Sequence, residues 1–173
     1  MNAPQTLYKV SHPLRISRYG AHTSLSTAER IDVIDALTHM LGTTQSIQAQ
    51  LDCLDQTLCN VSFLPVRQLF RRLARTTADY ARFLTTGIAD LGGYAEPASL
   101  YRFNGVAQSQ CFADCLTGIH RGARRLQAAE AGLREYQEGA IANKDLASKR
   151  LFEECVRRNT QLLSLINNNL PNE

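Results

Sequence analysis

The chain predicts an all-α fold, a four-helix bundle with one long crossover connection, on three observations. Apolar residues recur at spacings of three and four through long windows, and no window of comparable strength alternates with period two. The breaks between windows run short, long, short, the pattern of two helix pairs joined by a crossover. At 173 residues with 44% hydrophobic side chains, the sequence has the material for one domain around one core.

Residues 1–28 contain no acid, carry Lys9, Arg15 and Arg18, and include Pro4, Pro13 and Gly20, so residues 1–25 are expected to be a basic N-terminal arm preceding a bundle domain at 26–173. Ser26-Thr27-Ala28-Glu29 is a capping box: the Ser26 hydroxyl can take the third amide of a helix while the Glu29 carboxylate returns to the Ser26 amide. Ile31, Ile34, Leu37, Leu41, Ile47, Leu51, Leu54 and Leu58 then mark a first helix over 27–58. After a polar turn at 60–62, Pro65 suits the first turn of a second helix, lined by Val66, Leu69, Phe70, Leu73, Tyr80, Phe83, Leu84, Ile88 and Leu91. Gly92-Gly93 stops it.

From Tyr94 to Gln108 the chain has Pro97, Gly105 and aromatic residues without a clean period, as a crossover would, with a short helical turn expected at 98–101. A third helix carries Phe112, Cys115, Leu116, Ile119, Ala123, Leu126, Leu133 and Tyr136 and is expected to break over 139–144. A fourth opens near Asn143 or Asp145 and carries Phe152, Cys155, Val156, Leu162, Leu163 and Ile166.

Composition excludes little about partners. The balance of 19 basic against 16 acidic residues gives +3, which permits a polyanionic partner without requiring one. No run approaches the length of a membrane span and no secretory leader pattern opens the chain, so a cytoplasmic protein with no membrane partner is expected. The five cysteines, Cys53, Cys59, Cys111, Cys115 and Cys155, fall in helical patterns without a CxxC pair and are expected to be small buried thiols, with Cys111 and Cys115 sharing a helix face. Gly-rich phosphate loops, nucleophile signatures and zinc spacings are absent, and no catalytic residue is assigned. The basic residues of the third and fourth helices, Arg121, Arg124, Arg125, Arg134, Lys149, Arg150, Arg157 and Arg158, are interspersed with Glu130, Glu135, Glu138, Glu153 and Glu154 and suit solvated outer faces.

One charge pattern stands out. Arg67, Arg71, Arg75 and Arg82 fall within an arc of about 80° on the second helix. Like charges one turn apart destabilise a helix by about 0.2–0.5 kcal/mol per pair. Such a row therefore suits one of three environments: acidic partners such as Asp52, Asp55 or Asp79 within or across chains, bulk water, or a bound anion.

Val66-Arg67-Gln68-Leu69-Phe70, the helix that follows, and Ile88-Ala89-Asp90-Leu91-Gly92-Gly93 with Pro97 soon after resemble the second helix and Leu-Gly-Gly turn of the Dps-like mini-ferritins. With chain length, basic arm and paired third and fourth helices, the resemblance covers about residues 26–168 and implies a ferritin-like bundle. It further implies a homo-oligomer, typically a dodecameric shell, iron oxidation and storage at sites shared between subunits, and stress-related DNA association through basic termini, here Lys9, Arg15 and Arg18, with a nucleoid location.

The iron chemistry departs from the family pattern. Where the family places His-Trp-Asn, then His-x-x-x-Asp, then Asp-x-x-x-Glu, counting back from Gly92-Gly93 gives Asp55-Gln56-Thr57, then Arg67 and Arg71, then Arg82 and Thr86. Arginine stays protonated and repels a cation, so of these positions Asp55 alone could hold a metal. The resemblance thus implies a shell that associates with DNA and has a degenerate ferroxidase centre. The alternatives are iron storage at a non-standard site, or an interaction protein on the same scaffold.

Overall fold

The computed structural model describes residues 23–58, 64–95 and 111–171. Lys9, Arg15, Arg18, Cys59, the turn at 60–62, Pro97 and the helical turn expected at 98–101 lie outside them. The described residues form four helices and no strand: α1 (Thr27–Thr57), α2 (Leu64–Asp90), α3 (Phe112–Ala142) and α4 (Leu146–Asn169).

Each helix buries a stripe stepping alternately by four and three residues, the seam of a left-handed bundle. On α1 it runs Val33, Leu37, Met40, Thr44, Ile47, Leu51, Leu54 and Leu58. The expected stripe began at Ile31, but Ile31 is 39% exposed and Ile34 is half-buried, because the bundle axis takes the face carrying Val33 and Met40. Thr44 and Thr77 occupy seam positions on α1 and α2 and remain satisfied, each donating its hydroxyl at 2.8 Å to the carbonyl one turn earlier, of Met40 and Leu73.

Helix ends follow local chemistry. At Ser26 the capping box forms, with the Ser26 amide 2.8 Å from Glu29 Oε2 and the Glu29 amide 3.2 Å from Ser26 Oγ. After α2, Gly92 takes φ 87°, its amide bonds Ala89 O at 3.0 Å and the Gly93 amide bonds Ile88 O at 2.9 Å, a Schellman stop. The same motif ends α3, with Lys144 at φ 57° in the position glycine usually fills and the Asp145 amide on Ala140 O at 2.9 Å. Helix α3 therefore runs through Gly139, and the break narrows to residues 143–145.

Asp145 then caps α4, its Oδ1 accepting from the amides of Ala147 at 3.1 Å and Ser148 at 2.9 Å. Its Oδ2 accepts from Ser148 Oγ at 2.7 Å, from the Ser24 amide at 2.8 Å and from Thr23 Oγ1 at 3.1 Å. One carboxylate thus ties the start of α4 to the residues leading into α1.

Helix α1 packs on α2 and α3, and α4 packs on α3 and α2. Leu37 approaches Gly87, Ile47 approaches Gly122, Tyr80 meets Cys155 and Tyr136 stacks on Phe152, so every adjacent pair is antiparallel. Helices α2 and α3 are consequently parallel, on a diagonal, and the bundle runs up, down, down, up.

Candidate functional site

Helix α2 turns one face to the core through Phe70, Leu73, Thr77, Tyr80, Leu84 and Ile88 and leaves its arginines on the other. Arg71, Arg75 and Arg82 are exposed, and Arg67 is half-buried. Successive members of the 67, 71, 75 row are one turn apart, about 6 Å along the axis. Arg82 pairs with Asp79 at 3.2 Å, both side chains largely in water, so this bond adds little stability. Arg71 and Arg75 make no ion pair with a described residue, and the buried Nε of Arg67 has no partner among them.

Two of the three acids named as partners of this row make no ion pair with it among the described residues. Asp52 accepts from Gln48 Nε2 at 2.8 Å, and Asp55 is exposed. Of the acids named, Asp79 alone meets the row inside one chain.

Arg72, which the arc of about 80° leaves out, is also exposed and widens the patch. Its signal is legible in composition: from Leu64 to Ala78 the helix has Arg67, Arg71, Arg72 and Arg75 and no acid. The first turn of α2 holds no acid either, so the positive end of the helix dipole adds to the patch.

On α3 and α4 several charges are paired locally, those of Arg134, Lys149, Arg157 and Arg158. Glu130 binds Arg134 at 2.6 Å, and Glu154 binds Arg157 and Arg158 at 2.6 Å each. The Arg157 hydrogen bonds, joined by those of Arg158, hold the Glu154 carboxyl down at about 2 despite partial burial. Arg158 also lies 4.8 Å over the Phe83 ring.

The residues that the mini-ferritin resemblance would set at iron-ligand positions do not fit iron. Arg67, Arg71 and Arg82 are cations without a free lone pair, and Thr86 donates its hydroxyl to Arg82 O at 3.0 Å. Asp55 stands without a second donor from this set. Among the described residues no three His, Cys, Asp or Glu side chains come together as a metal site. His39 is exposed, and His120 Nε2 donates to Pro171 O at 2.9 Å.

Among the four described cysteines, burial corrects the sequence expectation. Cys115 and Cys155 are buried and Cys53 is half-buried, but Cys111 is exposed because it precedes α3 as its cap, with its thiol 3.1 Å from Asp114 Oδ2. No helix of the described residues is long and apolar enough to cross a membrane. Compared with known protein families and with characterised proteins, the chain finds no match, and its functional reading rests on its own residues.

Proposed function

We propose that this protein is a Dps-like, ferritin-like bundle that associates with DNA as a homo-oligomer, with a basic surface where iron-oxidising relatives hold metal ligands. The observation that carries this is the outer face of α2, where Arg67, Arg71, Arg72 and Arg75 follow one another without an acid from Leu64 to Ala78. Guanidinium groups spaced by about 6 Å along a helix suit a row of phosphates, and each phosphate neutralised releases counterions. The up, down, down, up order supports the ferritin-like assignment, since that order requires a long connection along the bundle. Lys9, Arg15 and Arg18 of the arm would add phosphate contacts, multiplied by oligomerisation up to the dodecameric shell of the resemblance.

Binding of duplex DNA, followed by fluorescence anisotropy across a salt series, tests this reading. Affinity should fall steeply with salt, and replacing Arg71 and Arg75 with alanine should reduce the logarithmic salt slope by about 2. Binding that ignores salt, or a double variant with the wild-type slope, would reject the α2 face as the contact. Ferrous iron added in air should oxidise no faster than in buffer. A rapid stoichiometric absorbance rise would restore the storage alternative.

A second reading has its own observation: Asp55, Arg71 and Arg75 are all exposed and make no ion pair with a described residue. A second copy could bring Asp55 against Arg71 or Arg75. A dimer that dissociates with salt, or in an Asp55→Asn variant, would favour the clamp over the nucleic-acid face.

A further inference from the structure

Helices α1 and α3 approach each other unusually closely along one stretch. A Cβ placed on Gly122 would stand 2.5 Å from Ile47 Cγ1, and one on Gly118 would stand 2.9 Å from Gln50 Cδ. Position 47 thus faces 122 and position 50 faces 118, and in an antiparallel pair the next step brings 53 opposite 115. Both positions are cysteines, and the Cys115 thiol hydrogen-bonds to the Cys53 sulfur. A disulfide needs Cβ atoms about 3.5–4.5 Å apart, a separation helices reach where glycines let their backbones come together.

We infer that Cys53 and Cys115 form a redox-active dithiol, which a hydroperoxide converts into a disulfide bridging α1 and α3. The two thiols differ in access. Cys53 is half-buried and meets solvent, whereas Cys115 is fully buried. Burial, reinforced by the hydrogen bond to Cys53, pushes the Cys115 thiol up to about 12, so it stays protonated. These differences set the order of events.

The Cys53 thiolate attacks the peroxide, the O–O bond breaks, and Cys53 becomes a sulfenic acid while the departing oxygen leaves as water or alcohol. The Cys115 thiol, protonated until then, passes its proton to the sulfenic oxygen, and as its sulfur becomes thiolate it bonds to the Cys53 sulfur while the S–O bond breaks and water leaves. Two thiols and one peroxide give one disulfide and two molecules of water, or water and an alcohol.

This chemistry depends on the α1–α3 register and is independent of DNA or iron. The exposed Cys111 thiol, one turn before Cys115, offers a competing route and defines the control.

The test uses the reduced full-length chain with one equivalent of hydrogen peroxide, followed by denaturation, alkylation and peptide mapping without reductant. The expected result is a loss of two titratable thiols per chain and a single linked peptide joining Cys53 to Cys115. In a Cys115→Ser variant, Cys53 should persist as the sulfenic acid and be labelled by a cyclic 1,3-dione. Undiminished thiols, an intermolecular link through Cys111, or any other intrachain pair in the wild-type map would overturn the proposal, whatever the variant's folding.

Discussion

Phe70 of α2 meets Phe112 of α3 edge to face, with ring centroids 6.2 Å apart and planes at 85°. Both lie near the N-terminal ends of their helices, so this contact joins the parallel, diagonal pair at one end of the bundle. Phe70 is buried and Phe112 is 40% exposed. Phe70→Ala should cost about 3–5 kcal/mol, and Phe112→Ala about 1 kcal/mol. A double-mutant cycle by urea unfolding should return a coupling of about 0.5–1.5 kcal/mol. Additive single effects would mean that the rings merely share a surface.

Asp145 predicts an acid-sensitive stability. Burial would raise its carboxyl, but the amide and hydroxyl of Ser148 and of Ser24 outweigh that and bring it to about 2, below its ordinary 3.8. A depressed folded value stabilises the protein above the unfolded value, and this contribution is lost as pH falls through the folded one. Unfolding free energy should therefore be flat above about pH 5 and fall by about 2 kcal/mol toward pH 2 from this group. Glu154, also held at about 2 by its arginines, titrates over the same window. Asp145→Ala should remove most of the Asp145 contribution and cost about 2–4 kcal/mol at neutral pH, since a cap is lost and buried donors lose their acceptor. A variant with the wild-type acid profile would show that the carboxylate network does not control it.

Lys144 holds a left-handed backbone, φ 57°, where a side chain costs about 1–2 kcal/mol. Lys144→Gly should raise stability by about 1 kcal/mol, the gain trimmed by the greater freedom of glycine in the unfolded chain. Thermal unfolding measures it. A lower midpoint would indicate that the Lys144 side chain contributes more than its backbone costs.

The glycines of α3 should respond in opposite directions. Gly122→Ala forces a Cβ to 2.5 Å from Ile47 Cγ1 and should cost about 1–3 kcal/mol. Gly132 and Gly139 have nothing within 4 Å of a built Cβ, and alanine there should stabilise by about 0.5–1 kcal/mol through helix propensity. Chemical denaturation of the three variants compares them directly. A tolerated Gly122→Ala would mean that α1 can move away from α3, and the alignment of Cys53 with Cys115 would loosen with it.

Much of the fold is local and was legible in the residues. Ser26 and Glu29 announce the start of α1, Gly92 and Gly93 end α2, and steps of three and four single out Leu37, Leu51, Leu84, Ile119 and Ile166 as core. Such signals work because capping, helix stops and amphipathic periodicity involve residues within one or two turns of each other. The same periodicity left Ile31 inside and said nothing of Met40, because a stripe has an edge and only the neighbouring helices decide where it falls.

The candidate sites divide in the same way. The arginine row of α2 and its lack of acids from Leu64 to Ala78 are sequence properties, and so is their mismatch with iron chemistry. That Arg71 and Arg75 face water, that Asp145 reaches across to Ser24, and that Cys53 lies against Cys115 are properties of tertiary structure. Helical spacing orders residues around one axis, whereas contacts between helices depend on register and distance. Those are set by side chains packing across the interface, here by how deeply Ile47 and Gln50 sit over Gly122 and Gly118.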